Sequence, residues 1–245
     1  MNLKGLFDEH TGALIHKWHH YFDIYERYFS KYKEKDINIL EIGISHGGSL
    51  ELWKKYFGSK AKIFAIDVNP ACKKFETEQV KIFIGSQSDP IFLKSVADQC
   101  PSFDIILDDG GHTMKQQIIS FEILFPYLKN DGVYMCEDTH TSYWYEYQGG
   151  LNKKGTFIEY SKKLVDKLNA WHVNDSSKMR VDNYTKTINS IHFYDSIVVF
   201  EKCLQREKPI TLINGKKQNE DFTEPDIREH DFFSRVTTKI KKWIQ

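Results

Sequence analysis

The 245-residue sequence contains no apolar run long enough to cross a bilayer. It has no excess charge of either sign: 34 Lys and Arg face 34 Asp and Glu, so no global field draws it to nucleic acid or an anionic membrane. Its four cysteines, Cys72, Cys100, Cys136 and Cys203, are scattered, with no CxxC. That spacing indicates neither a zinc site nor a disulfide framework. The opening MNLKGLFDEHTGALIHKWHHYF lacks a signal-peptide core and a small-residue cleavage site. The expectation is a cytoplasmic protein with reduced thiols. There is no internal repeat and no low-complexity tract.

What is present alternates. INILEIGI (37–44), KIFAIDV (62–68), VKIFIGS (80–86), FDIILDD (103–109) and GVYMCED (132–138) are short apolar runs bounded by Gly, Asp and Pro, with helical patterns between them. Such runs predict parallel strands buried on both faces. IHFYDSIVVFEK (191–202) adds two strands around Asp195 and Ser196, most simply an antiparallel hairpin at the sheet edge. The expected fold is α/β: a doubly wound, Rossmann-like sheet of seven strands, mostly parallel, with a C-terminal antiparallel hairpin.

Three segments are expected: an aromatic helical cap over 1–36, the main domain over 37–203, and a tail over 204–245. Helices are predicted over 14–32 and roughly 155–171, with a long loop between 139 and the second. The tail ends in an amphipathic helix whose apolar face carries Phe232, Phe233, Val236, Ile240 and Trp243. Core or subunit packing is the simpler use of that face, and a homo-oligomer follows from the second. A membrane-surface helix is the alternative.

LEIGISHGGSL (40–50) joins the first strand to the first helix of the sheet. Gly43 permits a tight turn, and Gly47 and Gly48 allow a ligand to approach the backbone. Ser45 stands where a dinucleotide GxGxxG motif needs its second glycine, which weakens a NAD reading. Asp67, at the end of the second strand, is suited to accept both hydroxyls of a ribose, or to cap the next helix. Ser86, Gln87 and Asp89 in GSQSDP are placed for a base edge, with Asp89 equally suited to an N-cap.

The carboxylates are the sharpest signal. Asp108 and Asp109 end the fourth strand, Glu137 and Asp138 the fifth, and parallel strands finish on one edge. Four acids concentrated there would repel one another unless a hard divalent cation such as Mg²⁺, or Mn²⁺ in its place, lay among them. His112 follows in DDGGH and can take a proton from a hydroxyl near neutrality. His140 in EDTHT, with His112 and Asp138, raises the alternative of a two-His, one-carboxylate iron site and hence an Fe(II) hydroxylase. The aromatic segments WHHYFDIYERYF (18–29) and SYWYEY (142–147) would close a pocket, or serve as core or oligomer contact. His20 and Tyr21 are candidates to touch cofactor or substrate, and His192 is read as structural.

LEIGISHGGSLELW, GSQSDPIFL, FDIILDDGGHTMKQQIISFEILFPYL and YMCEDTHTSYW resemble class I S-adenosylmethionine-dependent methyltransferases. More narrowly they resemble the sugar O-methyltransferases of macrolide pathways, of the mycinamicin and macrocin type, and proteins called cephalosporin hydroxylases. The resemblance covers about 12–202. It implies S-adenosylmethionine on Glu41, Gly43, Ser45, Gly47 and Ser49, its ribose on Asp67, and its adenine near Ser86 and Gln87, with Asp108 near the cofactor or supporting the loop. It implies a metal on Asp109, Glu137 and Asp138, and His112 as catalytic base. The acceptor would be a hydroxyl-bearing small molecule: a sugar, a glycan or a surface-polysaccharide precursor, including a phosphorylated or phosphoramidate-bearing one. A catalytically silent S-adenosylmethionine-binding protein is the remaining alternative.

Overall fold

The computed structural model describes residues 1–175 and 177–215. Met1–Lys208 form one compact unit, and Pro209 begins a second, described only over 209–215. The expected amphipathic helix lies outside the described residues.

Seven strands form a single sheet: β1 (Asn38–Ile42), β2 (Lys62–Asp67), β3 (Val80–Ile84), β4 (Phe103–Asp108), β5 (Leu128–Cys136), β6 (Ile188–Tyr194) and β7 (Ile197–Lys202). Their order is β3-β2-β1-β4-β5-β7-β6. The first five run parallel, whereas β7 pairs antiparallel with both β5 and β6. The doubly wound sheet and its closing hairpin are therefore as expected. From β1 the chain winds outward through β2 and β3, then returns to β4 on β1's other side. The carboxyl ends of β1 and β4 flank that reversal, where open α/β sheets hold their ligands.

Strand side chains alternate between two cores. Ile39, Ile63, Ile105 and Val133 face one layer, packed by α1 (Leu3–Asp8), α2 (Tyr21–Phe29) and α3 (Gly48–Phe57) through Leu3, Tyr25, Phe29, Trp53 and Phe57. Leu40, Phe64, Ile106 and Tyr134 face the other, packed by α4 (Pro90–Asp98), α5 (Met114–Leu124) and α6 (Phe157–Leu168) through Leu93, Phe121 and Phe157. Polar caps set the helix starts. Asp89 takes its capping role: its side chain accepts from the N–H groups of Ile91 and Phe92, with Pro90 following. Thr113 and Gln116 form a reciprocal capping box at the start of α5.

The helix predicted over 14–32 is shorter than its aromatic pattern implied. Regular helix begins at Tyr21, and a 3-10 turn, Ser30–Tyr32, ends it. Residues 13–17 instead run irregularly along the sheet edge, where the Ala13 and Leu14 carbonyls lie against Gly48. The predicted long loop after 139 contains two 3-10 turns, Thr139–Tyr143 and Tyr145–Tyr147.

Candidate functional site

The parallel registers assemble the site. Ile42 is level with Asp108 and Asp108 with Cys136, so Gly43, Asp109 and Glu137 follow side by side at the ends of β1, β4 and β5. Gly43 has φ of 85°, and a Cβ there would lie 2.1 Å from the Asp109 carbonyl oxygen. The glycine of LEIG is thus demanded by the backbone of the acidic strand beside it. Gly110 serves the same purpose one residue on, since a Cβ would meet Gln87 Oε1 at 1.8 Å.

Asp109, His112 and Asp138 each bring one ligand atom to within 4.8 Å of the others. His112 Nε2 stands 3.5 Å from Asp138 Oδ2 and 3.9 Å from Asp109 Oδ1. Its Nδ1 is buried with no hydrogen-bond partner among the described residues. His112 and Asp138 both hold left-handed backbones, φ 58° and 51°, as does Ser45 at 44° on the glycine loop. Non-glycine residues adopt this conformation rarely, and three of them border one cavity. The two carboxylates suit a hard divalent ion, and the imidazole stands beside them.

Glu137 lies behind this trio. Its side chain is 1 % exposed and both oxygens are engaged: Lys17 Nζ donates to Oε2 at 2.8 Å and the Tyr25 hydroxyl to Oε1 at 2.5 Å. Lys17 also donates to Asp109 Oδ2 at 2.5 Å. Burial alone would push the Lys17 pKa down, but Asp109, Glu137 and Glu41 overcome it and the ammonium is held above its ordinary value. Burial and the Asp109 charge push Glu137 up, and Lys17 pulls it back. The Tyr21 hydroxyl donates to Asp138 Oδ1 at 2.7 Å; burial, and then this bond, raise its pKa.

A cavity of about 1010 Å³ runs from β2 to these acids. Of the residues expected to touch a cofactor or metal, Gly43, Ser45, Ser49, Asp67, Gln87, Asp109, His112 and Asp138 line it. Glu41, Gly47, Ser86, Asp108 and Glu137 do not. Glu41 is fully buried, accepts from Ser49, and is pushed up to about 7 by burial, against the pull of Lys17. Behind Gly47 stands the ring of Phe75. The Ser86 hydroxyl meets that of Ser88.

Of the two expectations for Asp108, near the cofactor or supporting the loop, its contacts fit the second. Strand alternation turns it into the core opposite Asp109, where Gln87 and the Tyr134 hydroxyl donate to it and burial raises it to about 7. Gln87 is committed as well, donating to Asp108 and Ser120 and accepting from the Gly111 N–H at 2.7 Å. Its amide braces the DDGGH loop while the residue also lines the cavity. Asp67 accepts from the N–H groups of Ile44 and Ser45, so it tethers the glycine loop as well as facing the cavity.

His140 does not complete a two-His iron site. Its Nδ1 meets the Ser196 hydroxyl, 4.0 Å from Asp138 Oδ1, and it is absent from the ligand trio. Its ring instead lies edge-on between Trp18, at 5.9 Å, and Trp144, at 4.5 Å. Both tryptophans are about half exposed (50 % and 48 %), and Tyr143 and Tyr145 beside them are also open to solvent. His20 Nε2 lies 3.0 Å from the Asp195 carbonyl oxygen and stays outside the cavity. His192 pairs with Glu201 and Ser190, in keeping with a structural role. Nothing local in the sequence marks Lys17 or Tyr25 as a partner of Glu137. Lys17 lies 92 and 120 residues from its two carboxylates, a distance no local pattern spans.

No protein-family model matches the chain. Curated relatives do. A 2'-O-methyltransferase of 8-demethyl-8-alpha-L-rhamnosyl tetracenomycin-C from Streptomyces olivaceus is 31 % identical over 210 residues, 82 % of this chain and 54 % of its own. Demethylmacrocin O-methyltransferase from Streptomyces fradiae is 30 % identical, over 79 % of this chain and 52 % of its own. The chain is a relative of sugar O-methyltransferases. It spans about half the length of these relatives. Among solved structures, the MycE methyltransferase of the mycinamycin pathway, in complex with Mg, S-adenosylhomocysteine (SAH) and mycinamycin VI, superimposes with a TM-score of 0.75 at 25 % identity. That match covers 98 % of this chain and 59 % of the other. The sheet and its helices are those of the S-adenosylmethionine-dependent methyltransferases, as the resemblance implied.

Proposed function

We propose that the protein is a metal-dependent O-methyltransferase that passes the methyl group of S-adenosylmethionine to a hydroxyl of a sugar. The observation that carries this reading is the convergence of Asp109, His112 and Asp138 at the end of a large cavity opened by the glycine loop and Asp67. The relatives' names and the Mg and SAH of the structural neighbour support it. Asp109 and Asp138 would hold the ion, with Glu137 as a third carboxylate in reserve; the ion, when bound, lowers the acceptor hydroxyl's pKa and orients it. Ser45, Ser49 and Asp67 bind and position the methyl donor.

His112 is the general base. Its Nε2 faces the same space as the carboxylates, and its backbone is pinned by Thr141 Oγ1 donating to its carbonyl at 2.9 Å. The proton leaves to His112 as the acceptor oxygen takes the methyl group, and S-adenosylhomocysteine departs. Much of the rate gain is positional.

The exposed rim of Trp18, His140 and Trp144 beside Asp138 supports a sugar acceptor. The C–H face of a pyranose is apolar and lies flat on an aromatic ring, while its hydroxyls reach the acids. A surface-polysaccharide precursor fits as well as an antibiotic sugar. Four free cysteines suit a cytoplasmic setting. The aromatic rim would serve equally in a homo-oligomer. The test is calorimetry with S-adenosylmethionine, with and without EDTA, then a methyl-transfer screen over rhamnosides, nucleotide sugars and phosphorylated glycan precursors. EDTA-resistant methyl transfer, or no transfer to any saccharide, would overturn the reading.

A further inference from the structure

Lys17 Nζ bridges Asp109 Oδ2 and Glu137 Oε2 at 2.5 and 2.8 Å, with its side chain only 4 % exposed. An ammonium bridging two strand-end carboxylates performs electrostatically what a bound cation would. It offsets part of the repulsion between the two acids. The consequence for the trio is specific. Asp109 keeps Oδ1 toward His112 and spends Oδ2 on Lys17, while Glu137 has no oxygen left over.

We propose that Lys17 is a resident counter-cation that holds the metal site assembled before metal arrives and competes with the metal for Asp109 and Glu137. The inference rests on the metal-dependent reading above. When a divalent ion binds, Lys17 yields Asp109 Oδ2 and Glu137 Oε2. Glu137 remains fixed by Tyr25, and Asp138 by Tyr21, so the remaining ligand oxygens keep their places. The protein's own lysine thereby sets how tightly the site takes metal, and it keeps the edge of the sheet intact in a cell where metal is scarce.

The test uses the full chain, stripped with EDTA and dialysed, with Mn²⁺ alone as probe and free Mn²⁺ read by electron paramagnetic resonance. Lys17→Met removes the charge and keeps the length, and should bind Mn²⁺ about tenfold or more tighter than wild type, since one positive charge at contact distance has gone. Lys17→Gln should do the same, which guards against Lys17→Met folding poorly. Lys17→Arg, which retains the charge, should gain nothing. In EDTA, Lys17→Met should melt at a lower temperature than Lys17→Arg and recover more on adding Mn²⁺. Equal or weaker Mn²⁺ binding by both neutral variants, with wild type binding normally, would overturn the role of Lys17 alone. Failure of wild type and variants alike to bind Mn²⁺ would remove both this inference and the metal-dependent reading. Binding by the neutral variants but not by wild type would support the inference strongly.

Discussion

His112 Nε2 faces Asp138 Oδ2 across 3.5 Å, and each residue is held in a left-handed backbone conformation. Two strained positions opposing each other at one cavity mark a geometry that the fold maintains for use. If His112 is the base, His112→Ala should lower kcat by about 10²- to 10⁴-fold while leaving the Kd for S-adenosylmethionine nearly unchanged. Rapid-quench kinetics and calorimetry on the same variant check both halves.

Asp109 faces the cavity, whereas Asp108, its neighbour in sequence, is in the core. Asp109→Ala should abolish methyl transfer and Mn²⁺ binding yet leave cofactor affinity largely intact. Asp108→Asn should leave Mn²⁺ affinity within about threefold of wild type, because its oxygens serve Gln87 and Tyr134. A metal titration of the two variants side by side separates the roles.

Gly43→Ala meets two obstacles at once: φ of 85° and the Asp109 carbonyl oxygen 2.1 Å from the new Cβ. Urea unfolding should show a loss of at least about 2 kcal/mol. Undiminished stability would mean that the β1–β4 edge is looser than described.

Glu41 is fully buried, and burial lifts its carboxyl to about 7, from an ordinary 4.5, against the pull of Lys17. A carboxyl raised in the folded state binds its proton more tightly there than in the unfolded chain. Its contribution to stability is therefore full below the unfolded value and is lost as pH rises through about 7. In EDTA, wild type should lose up to about 3 kcal/mol relative to Glu41→Gln between pH 4 and pH 8. Urea titrations of the two proteins across that range measure the difference directly.

The Trp18–His140–Trp144 rim makes a kinetic prediction. Trp144→Ala should raise KM for the saccharide acceptor about three- to tenfold with kcat little altered. A matched loss in kcat instead would assign Trp144 to the positioning of His140 and Asp138.

Local sequence determined a great deal here. Five apolar runs bounded by Gly, Asp and Pro could be little other than buried parallel strands, because an unbroken apolar stretch of that length needs cover on both faces. Parallel strands end on one edge, so the acids of ILDD and CED meet there, and Asp109, His112 and Asp138 are legible in the sequence itself. Tertiary structure alone decided which oxygens are free. Strand alternation sends Asp108 inward beside Gln87, and a lysine from an irregular stretch far upstream occupies Glu137. Pattern resides in neighbours along the chain, whereas the charge balance of a buried site depends on groups that only folding brings into contact.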